Sequence, residues 1–483
     1  MPRSEPAEGN MRASIREGEE LPLRILHLGV GNFHRAHQAV FLQRLQASGD
    51  DRWTLVGGNL RPDGEAIIAA LAAQHGQYTL ETAAPDGQRQ HERITALSAV
   101  VPFVPGVPAL VALAADPDTR IVSFTVTEAG YYLDEQDRLA LQHPDIVADL
   151  IAAKVERAGT TIYGALTALL RARQARGAGP ITLLCCDNLR HNGRRFLRGL
   201  EQFVTALQDW ALLEWILRNT TSPNTMVDRI TPRPPADLAA RVAAATGFAD
   251  AAPVMSESFL QWVVEDRFAH DRPRWEDVGA AMVADVEPYE EAKIRLLNAT
   301  HSCLAWGGTL FGTRYIHESV ALPTVYRWAH DYATEAAIPC LGTPENPNPL
   351  DLPTYRDTVL ARFGNAAIAD TNQRVAMDGF AKLPGFIMPT VRDCLSAGRS
   401  LQAVAMLPAL FLAFLKRWDA GTLPFLYEDQ AMPPGDAAAI CRAADPVALF
   451  CANRTLWNEL AGNPSLEAAV REASIRAETA LPA

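Results

Sequence analysis

Residues 25–45 read ILHLGVGNFHRAHQAVFLQRL, and this segment decides the fold of the first half of the chain. Its apolar start predicts a β-strand, Gly29 and Gly31 predict a tight turn, and the residues that follow have helical periodicity. A strand, a glycine turn and a helix in this order direct the helix N-terminus at a pyrophosphate. His34 stands where the common dinucleotide-binding fingerprint has its third glycine, so this segment alone is a weak signal.

The second apolar run, WTLVGGN at residues 53–59, carries the signal for the ribose of a nucleotide. Asp63 follows this run, where an acidic side chain accepts hydrogen bonds from ribose hydroxyls and favours NAD. Arg61 lies beside it and offers the alternative of binding a 2′-phosphate. An ordinary surface aspartate after a strand would give the same pattern.

His34 and His37 lie three residues apart on the predicted helix and raise the alternative of a metal site. A catalytic zinc ion takes three protein ligands, and the sequence offers no evident third one. We therefore interpret both histidines as polar side chains with satisfied hydrogen bonds in the first turn of a helix. No metal is predicted.

Further apolar runs of the first half are separated by helix-like segments such as residues 144–173, which favours a parallel sheet covered on both faces. After Pro288 the strand signals fade. Periodic segments rich in alanine and leucine take over at 289–306, 355–364, 400–417 and 436–450. We predict an α/β protein with a Rossmann-type parallel-sheet N-terminal domain and a mostly α-helical C-terminal domain. The predicted ranges are 1–22 for a disordered lead-in, 23–287 for the Rossmann-type domain and 288–483 for the helical domain.

Composition limits the partners and the compartment. The 483 residues carry a formal net charge of −12, which disfavours nucleic acid and anionic membranes because phosphates are repelled. The seven cysteines form no CxxC motif, so neither a disulfide framework nor a structural zinc site is indicated, and a cytoplasmic location is expected. The N-terminus lacks a signal peptide, and the most apolar stretch, residues 401–415, is too short to span a membrane.

The segment PYEEAKIRLLNATHSCLAWGG, residues 288–308, is the most informative for chemistry. In a regular α-helix Asn298 lies about 140° from Lys293 and His301 about 80° from it, so the three share one broad face of an apolar helix. Desolvation lowers a lysine pKa, so Lys293 is a candidate general base. Asn298 and His301 are candidate donors to a developing alkoxide. The alternative is an exposed lysine and a capped core histidine.

Two other stretches combine polar residues at positions where ligands bind. CCDNLRHNG follows a predicted strand, so Asp187 and Asn188 lie at a strand's carboxyl end. SPNTMVDRITP places Asn224, Asp228 and Arg229 in a loop bounded by prolines, which is typical of a rigid lining segment. A plain turn is the alternative.

From about residue 23 to 460 the chain resembles the polyol-specific long-chain dehydrogenases, the mannitol dehydrogenase family. The resemblance rests on six motifs in order, a far more specific signal than any one of them. These are GVGNFHRAHQ, TVTEAGY at residues 125–131, CDNLRHNG, PNTMVDRITP, KIRLLNATHS and RVAMDGFAKLP at residues 374–384.

This resemblance implies hydride transfer, without zinc, between NAD(P) and a secondary alcohol of a sugar alcohol or its ketose. It implies that Lys293 is the catalytic base, that Asn188 and Asn298 bind the oxyanion, that His301 is the helical histidine and that Glu290 is an acidic gate. Glu290 precedes Lys293 by about one helical turn, so we expect it to pass the proton to water.

The resemblance also assigns the ligand contacts. The lack of a third glycine is normal for this family, so the opening segment is a cofactor loop and its histidines are not metal ligands. The expected cofactor contacts are Gly29, Gly31, Asn32, Phe33, Thr127 and Glu128, with Asp63 for the ribose. The expected contacts to substrate hydroxyls are Asp228, Arg374 and Lys382.

Within the family, LNATHSCLAWGGTLFG together with YIHES is most similar to the D-arabinitol 4-dehydrogenases. The expected reaction is therefore oxidation of D-arabinitol to D-xylulose with NAD by a monomer or weak oligomer. Mannitol 2-dehydrogenases and fructuronate-type reductases remain alternatives. Other readings are a sugar-phosphate dehydrogenase using Arg374 and Lys382, a metal-dependent hydrolase and a non-catalytic NAD-binding sensor, which would not need to retain a general base.

Overall fold

The computed structural model describes residues 22–134, 136–343 and 345–482. The predicted lead-in, residues 1–22, lies outside the described residues except for Pro22. The chain divides into two compact units. The N-terminal unit comprises the chain up to Glu81, His91–Met255 and Leu260–Val286, and the C-terminal unit comprises Thr82–Gln90, Ser256–Phe259 and the chain from Glu287 onward.

A six-stranded, fully parallel sheet organises the N-terminal unit, in the order β5-β2-β1-β6-β7-β8. Two three-stranded sheets have the orders β10-β3-β4 and β12-β11-β9. The strands of the chain are β1 (Leu23–Leu28), β2 (Trp53–Gly58), β3 (Tyr78–Ala83), β4 (Arg89–Ile94), β5 (Leu97–Val101), β6 (Thr119–Phe124), β7 (Ile181–Cys185), β8 (Thr220–Thr221), β9 (Thr225–Asp228), β10 (Val254–Glu257), β11 (Gln261–Glu265) and β12 (Ala281–Val283).

The order of the six parallel strands is that of a dinucleotide-binding Rossmann sheet. The strand order reverses between β1 and β6, so the carboxyl ends of these two strands border the crevice where such sheets bind ligands. Residues 25–28 of β1 are all buried, because β2 and β6 flank them on both sides. The predicted fold class is confirmed.

Helices cover the sheet and supply the remaining core of this unit. The helix-like stretch 144–173 is two helices, since the chain turns between Lys154 and Ile162. The helices are α1 (Asn32–Ala36), α2 (Gln38–Ala47), α3 (Glu65–Ala73), α4 (Pro108–Ala114), α5 (Pro144–Lys154), α6 (Ile162–Arg176), α7 (Asn192–Leu207), α8 (Trp210–Asn219) and α9 (Leu238–Thr246), with 3₁₀ turns at Pro62–Gly64, Glu128–Tyr131 and Trp275–Val278.

The C-terminal unit is helical and has its own apolar core around the buried helix α11. Its α-helices are α10 (Glu287–Ala292), α11 (Ala299–Leu310), α12 (Ile316–Ala321), α13 (Pro323–Asp331), α14 (Ile338–Cys340), α15 (Leu352–Phe363), α16 (Asn372–Ala376), α17 (Gly379–Lys382), α18 (Met388–Ser396), α19 (Met406–Asp419), α20 (Pro434–Arg442), α21 (Pro446–Ala452), α22 (Arg454–Trp457) and α23 (Pro464–Ala480). Three π-helical segments, Lys293–Asn298, Tyr332–Ala337 and Leu383–Ile387, and 3₁₀ turns at Ala366–Ile368 and Asn458–Leu460 complete it.

The apolar stretch at 401–415 falls largely in α19, whose side chains are mostly buried in this core. Among the residues that the structure describes, no helix has both the length and the hydropathy to cross a bilayer.

Candidate functional site

The glycine turn after β1 has the backbone geometry that the sequence predicts. Gly29 has φ +104°, a region that favours glycine, and a Cβ there would lie 2.0 Å from the carbonyl oxygen of Thr125. The Gly29 N–H donates to the Gly58 carbonyl (2.9 Å), and the Val30 N–H donates to Asn59 Oδ1 (2.8 Å). These bonds join the turn to the ends of β2 and β6.

The outer side of this turn is open. Gly31 is exposed and extended, and a Cβ added to it would meet only the Gly29 carbonyl, 3.9 Å away. Asn32 and Phe33 are partly exposed at the start of α1. A backbone that is accessible at Gly31 and followed by a helix start fits the close approach of a pyrophosphate, so these residues fit a dinucleotide.

The two candidate ribose residues differ in their surroundings. Asp63 is exposed in the 3₁₀ turn that follows β2. Arg61 is engaged with the protein, because its Nη2 donates to the Tyr132 hydroxyl (3.0 Å) and lies 3.6 Å from the Asp145 carboxylate. Of the two, Asp63 is thus the side chain in position to meet a ribose.

His34 packs in the core rather than at a surface. Its ring stacks on that of His27, with centroids 3.4 Å apart, and both residues are fully buried. Burial lowers the pKa of His27 to about 3 and that of His34 well below its usual range, so both rings are neutral. Neither ring nitrogen of His34 has a hydrogen-bond partner among the described residues, so the interpretation of His34 as a satisfied polar residue was wrong.

No group of three or more histidine, cysteine, aspartate or glutamate side chains in the described part of the chain is arranged to hold a metal ion.

Thr127, predicted to contact the cofactor, has a strained backbone. Its φ of +68° and ψ of 157° fall in a region occupied almost only by glycine, at a cost of about 1–3 kcal/mol. Asp187 holds it there by accepting hydrogen bonds from the N–H groups of Val126 (2.8 Å) and Thr127 (3.2 Å) and from the Tyr131 hydroxyl (2.5 Å). Strain that the fold maintains in this way marks a segment whose position matters for function.

Asp187 is therefore an organising residue of this edge of the sheet. Burial raises the pKa of its carboxyl, and the hydrogen bonds from Tyr131 and the 126–127 backbone offset that effect only in part. The next residue, Asn188, donates from Nδ2 to the Glu128 carboxylate (3.1 Å). The structure thus brings together the predicted residues Thr127, Glu128 and Asn188 at the carboxyl ends of β6 and β7.

Asn192 joins the two polar motifs CDNLRHNG and PNTMVDRITP and was missed in the sequence. It is fully buried and donates from Nδ2 to the carbonyl oxygens of Cys185 (3.3 Å), Asp187 (3.0 Å) and Thr225 (2.9 Å). Its Oδ1 accepts from the Thr225 N–H (2.8 Å). The two motifs are rigid because one side chain ties their backbones together.

The second motif ends at Asp228, which is buried at the end of β9. Its neighbour Arg229 donates from Nη1 to the Ala36 carbonyl at the end of α1 (2.6 Å). Asn224 donates to Glu265 on β11 (2.8 Å) and accepts from the Arg194 N–H (3.0 Å). The loop is thus a fixed wall of the N-terminal unit rather than a plain turn.

In the C-terminal unit, the segment from Lys293 to Asn298 is a π-helix, which corrects the regular α-helix assumed from the sequence. A π-helix pairs residue i with i+5, so Asn298 lies one wide turn after Lys293 instead of about 140° around the axis. Lys293 is 7% exposed and Glu290, in α10, is 6% exposed, which rules out the alternative of an exposed lysine.

Arg295 anchors the π-helix from its other side. The buried guanidinium donates to Glu291 (2.9 Å) and to Asp393 on α18 (2.6 Å). Inserted turns of this type cost helix stability and occur frequently at functional sites. The two carboxylates fix the segment that carries Lys293 and Asn298.

His301, in the first turn of α11, stacks on Phe363, with ring centroids 4.4 Å apart. Its Nε2 lies 3.4 Å from the Asp370 carboxylate, in a geometry that is not a hydrogen bond. Burial lowers the pKa of His301, and Asp370 offsets this effect only in part. The ring is therefore held neutral beside a charged group.

Asp370 also pairs with the predicted substrate residue Arg374 through Nε (2.6 Å) and Nη2 (2.5 Å). Although burial raises the pKa of Asp370, His301 and Arg374 together bring it well below its usual range. The Asp370 carbonyl accepts from the Ile316 N–H (2.9 Å), so the YIHES segment fixes this residue.

Asp370 is a positioning residue that sequence reasoning missed, although its spacing of four residues from Arg374 was the available signal.

The last predicted substrate residue, Lys382, ends α17 and donates from Nζ to the Val375 carbonyl (2.6 Å). The positive charges of Arg374 and Lys382 both lower the pKa of His301, so the three side chains share one electrostatic environment. The C-terminal unit therefore assembles a neutral histidine, an aspartate and two cations.

Comparison with known proteins agrees with this geometry. Residues 23–277 match the model of the mannitol dehydrogenase Rossmann domain, and residues 285–476 match that of the mannitol dehydrogenase C-terminal domain. The chain is 55% identical over 456 residues to a D-arabinitol 4-dehydrogenase of Ralstonia nicotianae, covering 94% of this chain and 96% of the relative. It is 51% identical over 447 residues to a D-arabinitol 4-dehydrogenase of Klebsiella pneumoniae, covering 92% and 96%.

Among solved structures, a ternary complex of Pseudomonas fluorescens mannitol 2-dehydrogenase with NAD and D-mannitol aligns with a TM-score of 0.79 and 32% identity. It covers 95% of this chain and 92% of that one. The resemblance inferred from six short motifs is confirmed over nearly the whole chain. A Rossmann sheet, an open glycine turn and a helical unit with a buried lysine, matched by both domain models, establish that the protein belongs to the mannitol dehydrogenase family.

Proposed function

We propose that the protein oxidises D-arabinitol at C4 to D-xylulose with NAD as the hydride acceptor, and that it acts in the cytoplasm as a monomer or weak oligomer. The observation that carries the substrate assignment is the 51–55% identity to D-arabinitol 4-dehydrogenases over 92% or more of the chain. Identity to the mannitol 2-dehydrogenase of known structure is 32%.

The proposed NAD site uses the open turn of the N-terminal unit. Gly29, Gly31, Asn32 and Phe33 present backbone and a helix start to the pyrophosphate, and Asp63 accepts hydrogen bonds from a ribose hydroxyl. Thr127 and Glu128 are assigned to the nicotinamide end, which the strain at Thr127 supports. When bound, NAD supplies the acceptor for the hydride that leaves the alcohol carbon.

The proposed chemistry of the alcohol oxygen belongs to polar side chains. Lys293 removes the hydroxyl proton as general base. Asn188, Asn298 and His301 donate hydrogen bonds to the alkoxide, which strengthen as negative charge develops. Glu290, three residues before Lys293, passes the proton to water. The burial of Lys293 and its position one π-turn before Asn298 support this division of roles.

Substrate selection is assigned to charged and hydrogen-bonding groups, because a polyol offers only hydroxyls. Asp228 accepts hydrogen bonds from substrate hydroxyls, and Arg374 and Lys382 donate to them. The cations also fit a sugar phosphate, but Asp370 already pairs with Arg374 through both Nε and Nη2. We therefore assign an unphosphorylated polyol.

The substrate assignment is tested by adding NAD to the purified full chain with D-arabinitol, mannitol, sorbitol, ribitol or xylitol in the presence of EDTA. We expect NADH formation to be fastest with D-arabinitol and the product to be D-xylulose by chromatography against standards. A preference for mannitol, with fructose as product, would favour mannitol 2-dehydrogenase. Activity only toward a uronate would favour a fructuronate-type reductase, and NAD binding without turnover of any substrate would favour a sensor.

Replacing Asp370 by asparagine keeps its size but removes the charge that Arg374 and His301 face. We expect KM for the polyol to rise by about 10- to 100-fold, the effect of losing a hydrogen bond to a charged group, with a smaller fall in kcat. Steady-state kinetics at saturating NAD measure both constants.

The matched control is Asp419→Asn, which disrupts an equivalent pairing with Arg442 (2.9 and 2.7 Å) on the surface of the same unit. Equal effects of the two substitutions on KM would show that Asp370 has only a structural role.

A further inference from the structure

Two cysteines of the C-terminal unit lie in direct contact. The Sγ atoms of Cys340, at the end of α14, and Cys394, on α18, are 3.7 Å apart. Cys394 is fully buried, whereas Cys340 is partly exposed. Since one sulfur is accessible and the other lies behind it, the pair has the arrangement of an attacking thiol and a resolving thiol.

The surroundings of Cys340 favour its thiolate. The Cys394 thiol can donate a hydrogen bond to it, and Arg399 Nη1 lies 3.6 Å from its sulfur while also donating to the Pro339 carbonyl (2.5 Å). The hydrogen bond from Cys394, followed by that from Arg399, lowers the pKa of Cys340, and the pKa of Cys394 rises in return. Low thiol pKa and access to solvent are what oxidant-sensitive cysteines share.

The pair is one residue away from the anchor of the π-helix. Cys394 follows Asp393, which accepts a hydrogen bond from Arg295 (2.6 Å), and Arg295 lies between Lys293 and Asn298. A disulfide requires the two sulfurs to be about 2.05 Å apart, so they must approach by more than 1 Å. Movement of α18 or α14 on that scale strains the hydrogen bond between Asp393 and Arg295.

We propose that Cys340 and Cys394 form a reversible disulfide on exposure to a hydroperoxide and that this bond lowers the turnover of the enzyme. In the first step the Cys340 thiolate attacks the peroxide oxygen, the O–O bond breaks, and a sulfenic acid forms with release of water after protonation. In the second step the Cys394 thiol attacks the sulfenic sulfur and expels a second water. The two thiols are oxidised and the peroxide is reduced, and a dithiol reductant reverses the reaction.

The bond is tested on the full chain treated with hydrogen peroxide and then alkylated, digested and analysed by mass spectrometry. We expect a peptide linked through Cys340 and Cys394 in the wild type and in the control variant Cys441→Ser. The link is absent from Cys340→Ser, and in Cys394→Ser the reaction stops at a Cys340 sulfenic acid that dimedone traps. Absence of the linked peptide from oxidised wild type, or trapping at Cys441 as fast as at Cys340, would overturn the proposal.

The effect on turnover rests on the proposed function, and the same samples test it. We expect oxidised wild type to lose at least half of its NADH formation and to recover with dithiothreitol, while both cysteine variants keep their activity under peroxide. Unchanged turnover in a fully linked sample would overturn the regulatory part of the proposal. If reduced protein turns over no polyol, the proposed function fails, whereas the mass spectrum still reports on the disulfide.

Discussion

Lys293→Ala is expected to lower kcat/KM for polyol oxidation by about 100- to 10,000-fold, the usual contribution of a positioned general base. The loss falls mainly on kcat, because the lysine accepts the proton as the alkoxide develops and contributes less to ground-state binding. Steady-state kinetics with NAD and D-arabinitol measure the effect, and circular dichroism with thermal unfolding checks that the fold is retained.

Two matched variants separate chemistry from structure. Lys293→Met keeps the apolar stem in the buried site, so we expect the same loss, while Lys154→Ala removes an exposed lysine of α5 and should leave turnover unchanged. A small primary amine added to the Lys293→Ala variant should restore part of kcat, and the Met variant, which has no cavity, should not respond. Near-normal turnover of folded Lys293→Ala would rule out its role as base.

Gly29→Ala is expected to cost about 2–6 kcal/mol of folding free energy and to abolish measurable NAD binding. The estimate adds a strained backbone conformation of about 1–3 kcal/mol and overpacking of about 1–3 kcal/mol, since the new Cβ would lie 2.0 Å from the Thr125 carbonyl oxygen. Urea-induced unfolding and NAD titration by calorimetry measure the two effects.

Gly49→Ala is the matched control, because Gly49 has a similar φ of +100° and nothing within 4 Å of an added Cβ. It carries the backbone strain without the clash, so we expect a smaller loss of stability and unchanged NAD affinity. If the two alanine variants bind NAD equally well, the turn at Gly29 does not form the cofactor site.

The Rossmann sheet was predictable because its signals are local. Each parallel strand is a short apolar run, and the glycine turn at Gly29 follows from residues that are neighbours in sequence. The family assignment was predictable for a different reason, since six motifs in a fixed order form a pattern that chance does not produce.

Other features depend on partners far away in the chain. The strained conformation of Thr127 is held by Asp187, 60 residues later, and nothing near Thr127 signals it. The π-helix from Lys293 to Asn298 differs from an α-helix by one residue in its hydrogen-bond pairing, and its anchor Asp393 lies 98 residues from Arg295. A pattern read at 3.6 residues per turn therefore placed Asn298 on the wrong angle, although it named the right residues for the proposal.

The most direct test of the account follows the hydride itself. The purified full chain is incubated with NAD and D-arabinitol carrying deuterium at C4, in the presence of EDTA, and the reduced cofactor is analysed by mass spectrometry. The account predicts that deuterium appears in the NADH as D-xylulose forms. Unlabelled NADH, or no NADH from any polyol while the folded protein binds NAD, would contradict it.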